Sequence, residues 1–251
     1  MDKDTAFVVV SCDKYSDMWG PLFKCLSKYW SDCPFEKYLV TNHMDFMCDD
    51  VNVINIGDDI SYSDNLRIAL ECITHEWIIL WLDDVFISKK VNTNRFLEIL
   101  EYVKSRKAAS FKFDPRMPMA YSPDSFKEVG MLPKGIKYRA GIGSTFYNKQ
   151  ALLRLLVPGA SAWELDRGEI DRDMDEPFYA LTPASSSNPP LVYEHILVKG
   201  SVTIDSLSFL RKEGFVDLVK IRKMQSISNY IYMKLYYFRL FFYRFFEIYW
   251  K

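Results

Sequence analysis

Short apolar runs separated by polar loops organise the first half of the chain. Phe7–Ser11 (FVVVS) is β-branched and lacks alternation, the pattern of a strand buried on both faces. Lys37–Thr41 (KYLVT), Val51–Ile56 (VNVINI) and Trp77–Leu82 (WIILWL) read the same way. Between them, MWGPLFKCLSKYW and NLRIALECIT carry helical spacing, the second with Ser63 or Asp64 placed to cap it. Strands alternating with helices predict an α/β protein with a mostly parallel sheet.

The second half is less regular. Phe96–Lys104 and Lys149–Leu156 read as helices, the latter stopped by Pro158–Gly159, and Ala109–Phe113 and Val192–Val198 as strands. Tyr138–Tyr147 (YRAGIGSTFY) reads as a strand or hairpin whose glycines permit close approach of the backbone to a neighbour. Pro177–Leu181 is expected to begin a short helix, and Pro-rich and Ser/Pro-rich loops occupy 115–125 and 184–190. Tyr230–Lys251 is aromatic and basic throughout, and its uncharged stretches are far shorter than the roughly 18–20 residues of a spanning helix. The organisation expected is a domain over 1–219 followed by a helical tail over 220–251.

In an open α/β sheet, ligands bind beyond the carboxyl ends of the strands. The polar residues there are Ser11, Asp13 and Tyr15, then Thr41 and Asn42, then Asp58 and Asp59, then Asp83 and Asp84. The last two stand inside the apolar run IILWLDDVFI, where unpaired charge is costly, so a partner is required. Carboxylates converging on one edge suit Mn²⁺ or Mg²⁺ carrying substrate phosphates; a capped or salt-bridged loop is the structural alternative. Arg67 on the preceding helix could meet a phosphate or balance the carboxylates.

Charge sharpens this picture. The net charge of −1 divides into +6 from Lys220 onward, with seven Lys/Arg against one Glu, and −7 before it. An acidic body excludes a duplex-DNA reader, so no nucleic-acid partner is expected. The basic aromatic tail fits an anionic membrane surface, or else packs on the domain or on a second subunit in a homo-oligomer. Five cysteines (12, 25, 33, 48, 72) without a C-x-x-C pair, and a start lacking a leader pattern, predict reduced thiols and a cytoplasmic location, peripheral on the inner face of the membrane. Cys12 is a small buried hydrophobe in preference to a nucleophile. There is no P-loop, dinucleotide fingerprint or G-x-S-x-G elbow, and the three histidines do not stand at zinc spacings.

The segment SDNLRIALECITHEWIILWLDDVFI resembles the nucleotide-sugar half of GT-A-fold glycosyltransferases, with Leu82-Asp83-Asp84 as an x-D-D variant of their acidic motif. VVVSCDKYSDMW, YLVTN and YNKQALLRLLVPGASAWELD are similar to bacterial surface-polysaccharide glycosyltransferases, the likeness covering residues 6–200. The resemblance implies a GT-A-like, Rossmann-like fold and transfer of a sugar from a nucleotide diphosphate, commonly UDP, to a lipid-linked glycan or oligosaccharide. It implies Asp84 as metal ligand, Asp83 near the ribose or sugar, Ser11, Asp13, Tyr15 and Asn42 in the nucleotide pocket, and Asp64 and Arg67 at the ribose or diphosphate. Glu164 and Asp166 in WELD are the candidate bases, Glu164 preferred because it follows Trp163, which could stack on a sugar; a helix-start cap is the structural alternative. HILVKG resembles a late element of retaining enzymes, which implies His195 as a metal ligand and Lys199 at the diphosphate, and leaves the stereochemistry open. A sugar nucleotidyltransferase and a non-catalytic nucleotide-sugar-binding scaffold are the alternatives. Against the first, CDKYSDMWG lacks a Gly/Arg/Lys-rich phosphate loop.

Overall fold

The computed structural model describes residues 3–245 apart from 116, 118–121, 123–124, 135, 137, 168–173, 184 and 186–187. Most of the loop read at 115–125, three positions of the Ser/Pro loop and the tail beyond 245 therefore lie outside the described residues.

Strands β1 (Thr5–Val10), β2 (Glu36–Thr41), β3 (Val51–Asn55) and β4 (Trp77–Leu82) form the parallel half of the sheet. Helices α1 (Ser16–Tyr29) and α2 (Tyr62–Glu71) make crossovers, and a short strand β5 (Val85–Ile87) follows β4 after a two-residue turn. Next come α3 (Thr93–Ser105), β6 (Ser110–Lys112), β7 (Val129–Met131), β8 (Thr145–Asn148), α4 (Lys149–Leu155), α5 (Ala162–Arg167) and β9 (Phe178–Leu181). The eight-stranded sheet has the order β3-β2-β1-β4-β8-β6-β9-β7. β8 is antiparallel to both β4 and β6, and β7 to β9, so six of the eight strands run in one direction. This is the mostly parallel, helix-flanked sheet expected of a GT-A-like chain.

Period-two alternation builds the two sides of the core. Phe7 and Val9 of β1, with Ile79 and Trp81 of β4, face a cluster containing Trp19 and Leu22 of α1 and Phe96 and Leu100 of α3. Ala6 and Val8, with Ile78 and Leu80, face Leu66 and Ala69 of α2 and Leu152 of α4. A strand covered on both sides needs apolar residues at every position, which is why FVVV and WIIL show no polar alternation.

Two expectations are corrected. Phe178–Leu181 is a fully buried strand, not a helix: it lies between β6 and β7, and sheet pairing on both sides decides the conformation of a segment too short to hold a helix. The cap of α2 is Ser61, whose hydroxyl accepts from the Asp64 amide, and not Ser63 or Asp64. Over Tyr138–Tyr147 only Thr145 onward is strand.

The chain closes with β10 (Tyr193–His195), β11 (Leu197–Val198), β12 (Ser201–Val202), α6 (Leu207–Glu213), α7 (Asp217–Ile221) and α8 (Ile227–Phe245). β10 pairs antiparallel with β5, and residues 223–225 hydrogen-bond along β12, with Val202 N–H donating to Lys223 and Gln225 N–H donating to Val202. The 219/220 boundary thus falls inside α7. Among the described residues, no helix is long and apolar enough to cross a membrane.

Candidate functional site

Asp83 and Asp84 leave the sheet at its carboxyl edge, in the turn between β4 and β5. The turn is pinned on both sides: Trp81 Nε1 donates to the Val85 carbonyl at 2.7 Å, and the Ile196 amide donates to the Asp84 carbonyl at 2.8 Å. Ser11, at the end of β1, donates its hydroxyl to Asp83 Oδ2 at 2.5 Å and accepts from Trp19 Nε1 at 2.6 Å. Trp19 is fully buried in α1, so this relay fixes the Asp83 carboxylate to the core.

Burial and mutual repulsion dominate the electrostatics. Desolvation, then the Asp84 charge, pushes the Asp83 carboxyl up to about 7 against the pull of Ser11 and Arg222; desolvation pushes Asp84 to about 6. The positive charge of Arg222 acts on both. Its guanidinium forms a bidentate pair with Asp17, at 2.7 and 2.5 Å, and lies 4.3 Å from the centre of the Tyr15 ring. Asp17 thus occupies part of Arg222, and one guanidinium cannot neutralise three carboxylates. Burial and Asp83 also push the Tyr15 phenol up.

Other predicted residues serve to brace this edge. The Asp13 carboxylate accepts backbone N–H bonds from Asn42, His43 and Met44 at 3.1–3.2 Å. Asn42 returns the contact by accepting the Asp13 amide at 3.2 Å and donating to the Gly57 carbonyl at 3.1 Å. Asp13 and Asn42 therefore tie together the loops after β1, β2 and β3. Asp64 accepts from the Ser61 hydroxyl at 2.6 Å and the Gly159 amide at 2.9 Å, bonds that hold its carboxyl below the usual range. Arg67 donates to the carbonyls of Leu153 and Leu156 at 3.0 and 2.7 Å, satisfying the C-terminal end of α4. Glu164 closes a capping box with Ser161, accepting its amide at 2.8 Å and its hydroxyl at 2.7 Å, and its carboxyl is lowered by those bonds. Trp163 beside it is 59% exposed.

Asp166 is placed differently. A Cβ added at Gly141 would lie 2.3 Å from Asp166 Oδ1 and 2.9 Å from Lys112 Nζ, so both side chains press on that glycine, the close backbone approach expected there. Buried Lys112 donates to the Gly141 carbonyl at 2.7 Å. Among the described residues the buried Tyr62 hydroxyl meets no hydrogen-bond partner, and the charges of Asp83 and Asp166 both act on it.

His195 is exposed on β10, opposite Val85, and Lys199 and Gly200 form the two-residue turn of the β11–β12 hairpin, with φ of 50° and 74°. A Cβ at Gly200 would come within 3.6 Å of the Tyr15 hydroxyl, which sets this turn against the rim of the site. His195 lines a cavity of about 500 Å³ together with Phe113, Asp114, Tyr193 and residues of α8. The five cysteines are free, and burial pushes the Cys12 thiol up, opposite to the shift that activates a nucleophile.

Sequence reading missed Arg222, Asp17, Tyr62 and Lys112. Arg222 reads there as one more charge of the basic tail, 139 positions from Asp83, and no local pattern links them. Among the described residues, no group of three or more His, Cys, Asp or Glu is arranged to hold a metal unaided. Asp83 and Asp84 would supply a cation with two carboxylates, leaving its other positions to phosphate and water, as Mg²⁺ is commonly bound.

No protein-family profile and no curated protein matches the chain. Among solved structures, S. aureus TarS (residues 1–349) aligns at 14% identity with a TM-score of 0.46 over 71% of this chain and 60% of that one. TarS has also been solved with UDP-GlcNAc. The galactosyltransferase LgtC, solved with donor and acceptor sugar analogues, aligns at 10% identity and a TM-score of 0.40, over 63% of this chain and 61% of that one. A putative glucose-1-phosphate thymidylyltransferase from Bacillus anthracis aligns at 11% and 0.40, over 74% and 94%. The chain spans about 60% of the TarS chain it matches.

Proposed function

We propose that the protein is a divalent-cation-assisted glycosyltransferase that takes a sugar from a nucleotide diphosphate, UDP in the first instance, onto a glycan acceptor in surface-polysaccharide synthesis. The observation that carries the reading is the Asp83–Asp84 turn: two half-buried carboxylates at the ligand-binding edge, raised by desolvation and, at Asp83, by its neighbour's charge, acted on by an Arg222 guanidinium that is already paired with Asp17. Such a pair is costly alone and favourable around Mn²⁺ or Mg²⁺ carrying a diphosphate.

Asp84 is the first ligand, with Asp83 held beside it by Ser11. The cation would neutralise the charge that develops on the departing diphosphate. Arg222 and the Lys199–Gly200 turn flank the same edge and suit the diphosphate oxygens, and Tyr15 offers a ring face to the nucleoside. Asp166, not Glu164, is the base that takes the proton of the acceptor hydroxyl. Asp166 shares the surroundings of Gly141 with Lys112, and its charge and that of Asp83 both act on Tyr62, whereas Glu164 is engaged in its capping box. A nucleotidyltransferase is less well supported, because the loop after β1 is committed to bracing β2 and β3 through Asp13.

The test is isothermal calorimetry of UDP with and without Mn²⁺, on wild type and Asp84→Ala. Cation-dependent binding that the variant loses, with its fold intact by circular dichroism, supports the assignment. Cation-independent binding in wild type, or equal binding by the variant, removes it.

A further inference from the structure

Helix α8 has two unlike sides. Its inner side is fastened to the body: Tyr230 and Lys234 donate to the two oxygens of Asp205 at 3.3 and 2.8 Å, and Tyr236 donates to the Tyr138 hydroxyl at 3.2 Å. Tyr230, Met233 and Lys234 also wall the cavity of about 500 Å³ beside His195. These contacts fix the rotation of the helix about its axis, and so decide what it shows to solvent.

It shows an apolar ridge. Ile227, Ile231, Leu235 and Phe238 follow the i, i+4, i+8, i+11 spacing of one helical face and are 71, 51, 63 and 65% exposed. Ile221 and Met224, 67 and 37% exposed, add to the same C-terminal region, beside exposed Lys220 and Lys223. The four helix residues span roughly 17 Å at the helical rise.

We propose that this ridge docks the protein on an anionic phospholipid bilayer. Two observations choose the lipid over another protein. The exposed apolar side chains described on α8 are Ile227, Ile231, Tyr232, Leu235 and Phe238, a convex strip without the fitted surface of roughly 800 Å² that a stable protein partner needs, whereas a bilayer needs no matching shape. Lys220, Arg222 and Lys234 are paired with Asp217, Asp17 and Asp205, yet the segment from Lys220 still carries seven Lys/Arg against one Glu, and Lys223 stands exposed beside Met224, so anionic headgroups complement this end of the molecule. The inference stands apart from the catalytic reading, because it uses no residue of the Asp83–Asp84 edge.

The experiment is co-sedimentation of the full chain with large vesicles, either pure phosphatidylcholine or phosphatidylcholine with one quarter phosphatidylglycerol. Wild type is expected to pellet with the anionic vesicles and remain in the supernatant with the neutral ones. The double variant Leu235→Ser, Phe238→Ser is expected to bind at least tenfold more weakly, with an unchanged melting curve and unchanged UDP calorimetry. Tyr232→Trp, an exposed substitution that leaves the ridge intact, serves as a second readout through a blue shift of its fluorescence on anionic vesicles. Wild type that stays in the supernatant overturns the proposal. So does undiminished binding by the double variant, or a wild-type dimer in analytical ultracentrifugation that the double variant dissolves.

Discussion

Replacing Asp83 by Asn gives the most direct test of whether the carboxylate pair is held at a cost. The unfolded chain ionises an aspartate near 3.8, whereas the fold raises Asp83 to about 7 and Asp84 to about 6. A raised carboxyl makes the folded state the tighter binder of protons. Its penalty is absent below the unfolded value, grows as pH rises through the interval, and is constant above the folded value. Counting one extra proton between 3.8 and about 6, the fold loses about 3 kcal/mol, or roughly 6–12 °C of Tm for a chain of this size. Asp64, Glu164 and Glu176 are lowered and act in the opposite direction at lower pH, so the quantity to read is the difference between variant and wild type. Thermal unfolding followed by circular dichroism, from about pH 4.5 to about pH 8 without divalent cation, supplies it. Asp83→Asn removes the charge but can still accept from Ser11, so its Tm is expected to overtake that of wild type as pH rises. Adding Mn²⁺ at the upper end raises the wild-type Tm and leaves the variant nearly unchanged. If the two proteins keep parallel Tm–pH curves in the absence of cation, the carboxylates are not strained as argued.

Substitutions at four further positions separate site from scaffold. Arg67→Ala frees two carbonyls at the end of α4 and is expected to cost about 1–3 kcal/mol in urea unfolding, with UDP affinity by calorimetry unchanged. Glu164→Ala loses the capping box and is slightly less stable by the same measurement, with sugar transfer intact, whereas Asp166→Asn keeps stability near wild type and abolishes transfer. Arg222→Ala breaks the bidentate pair with Asp17 and the stack on Tyr15, at a cost of about 1–4 kcal/mol in urea unfolding, and weakens UDP binding. Arg222→Lys recovers only part of either, because an ammonium cannot hold both oxygens in a planar fork.

What the sequence disclosed, and what it withheld, follows one physical division. Buried parallel strands leave a one-dimensional trace, since every position must be apolar; FVVV, KYLVT, VNVINI and WIILWL were each legible to within a residue or two. The two aspartates were legible because they break such a run. Phe178–Leu181 was not, because its strand state is decided by β6 and β7, far away in sequence. The polar residues divide along the same line. Asp13, Asp64 and Glu164 are short acidic side chains near strand or helix ends, and the chemistry that would bind a ligand there also satisfies loose backbone amides. Composition cannot separate these uses; only the donor count does. Asp13 and Glu164 meet N–H groups of their own or adjoining loops, and Asp64 the amide of Gly159, while Asp83 meets a single hydroxyl and its charged neighbour. A carboxylate already supplied with donors has little left for a ligand, whereas one surrounded by burial and like charge still requires a partner. By that criterion Asp83 and Asp84 are the carboxylates the fold leaves in want of a partner, whereas Asp13, Asp64 and Glu164 are already engaged in holding loops and helix ends together.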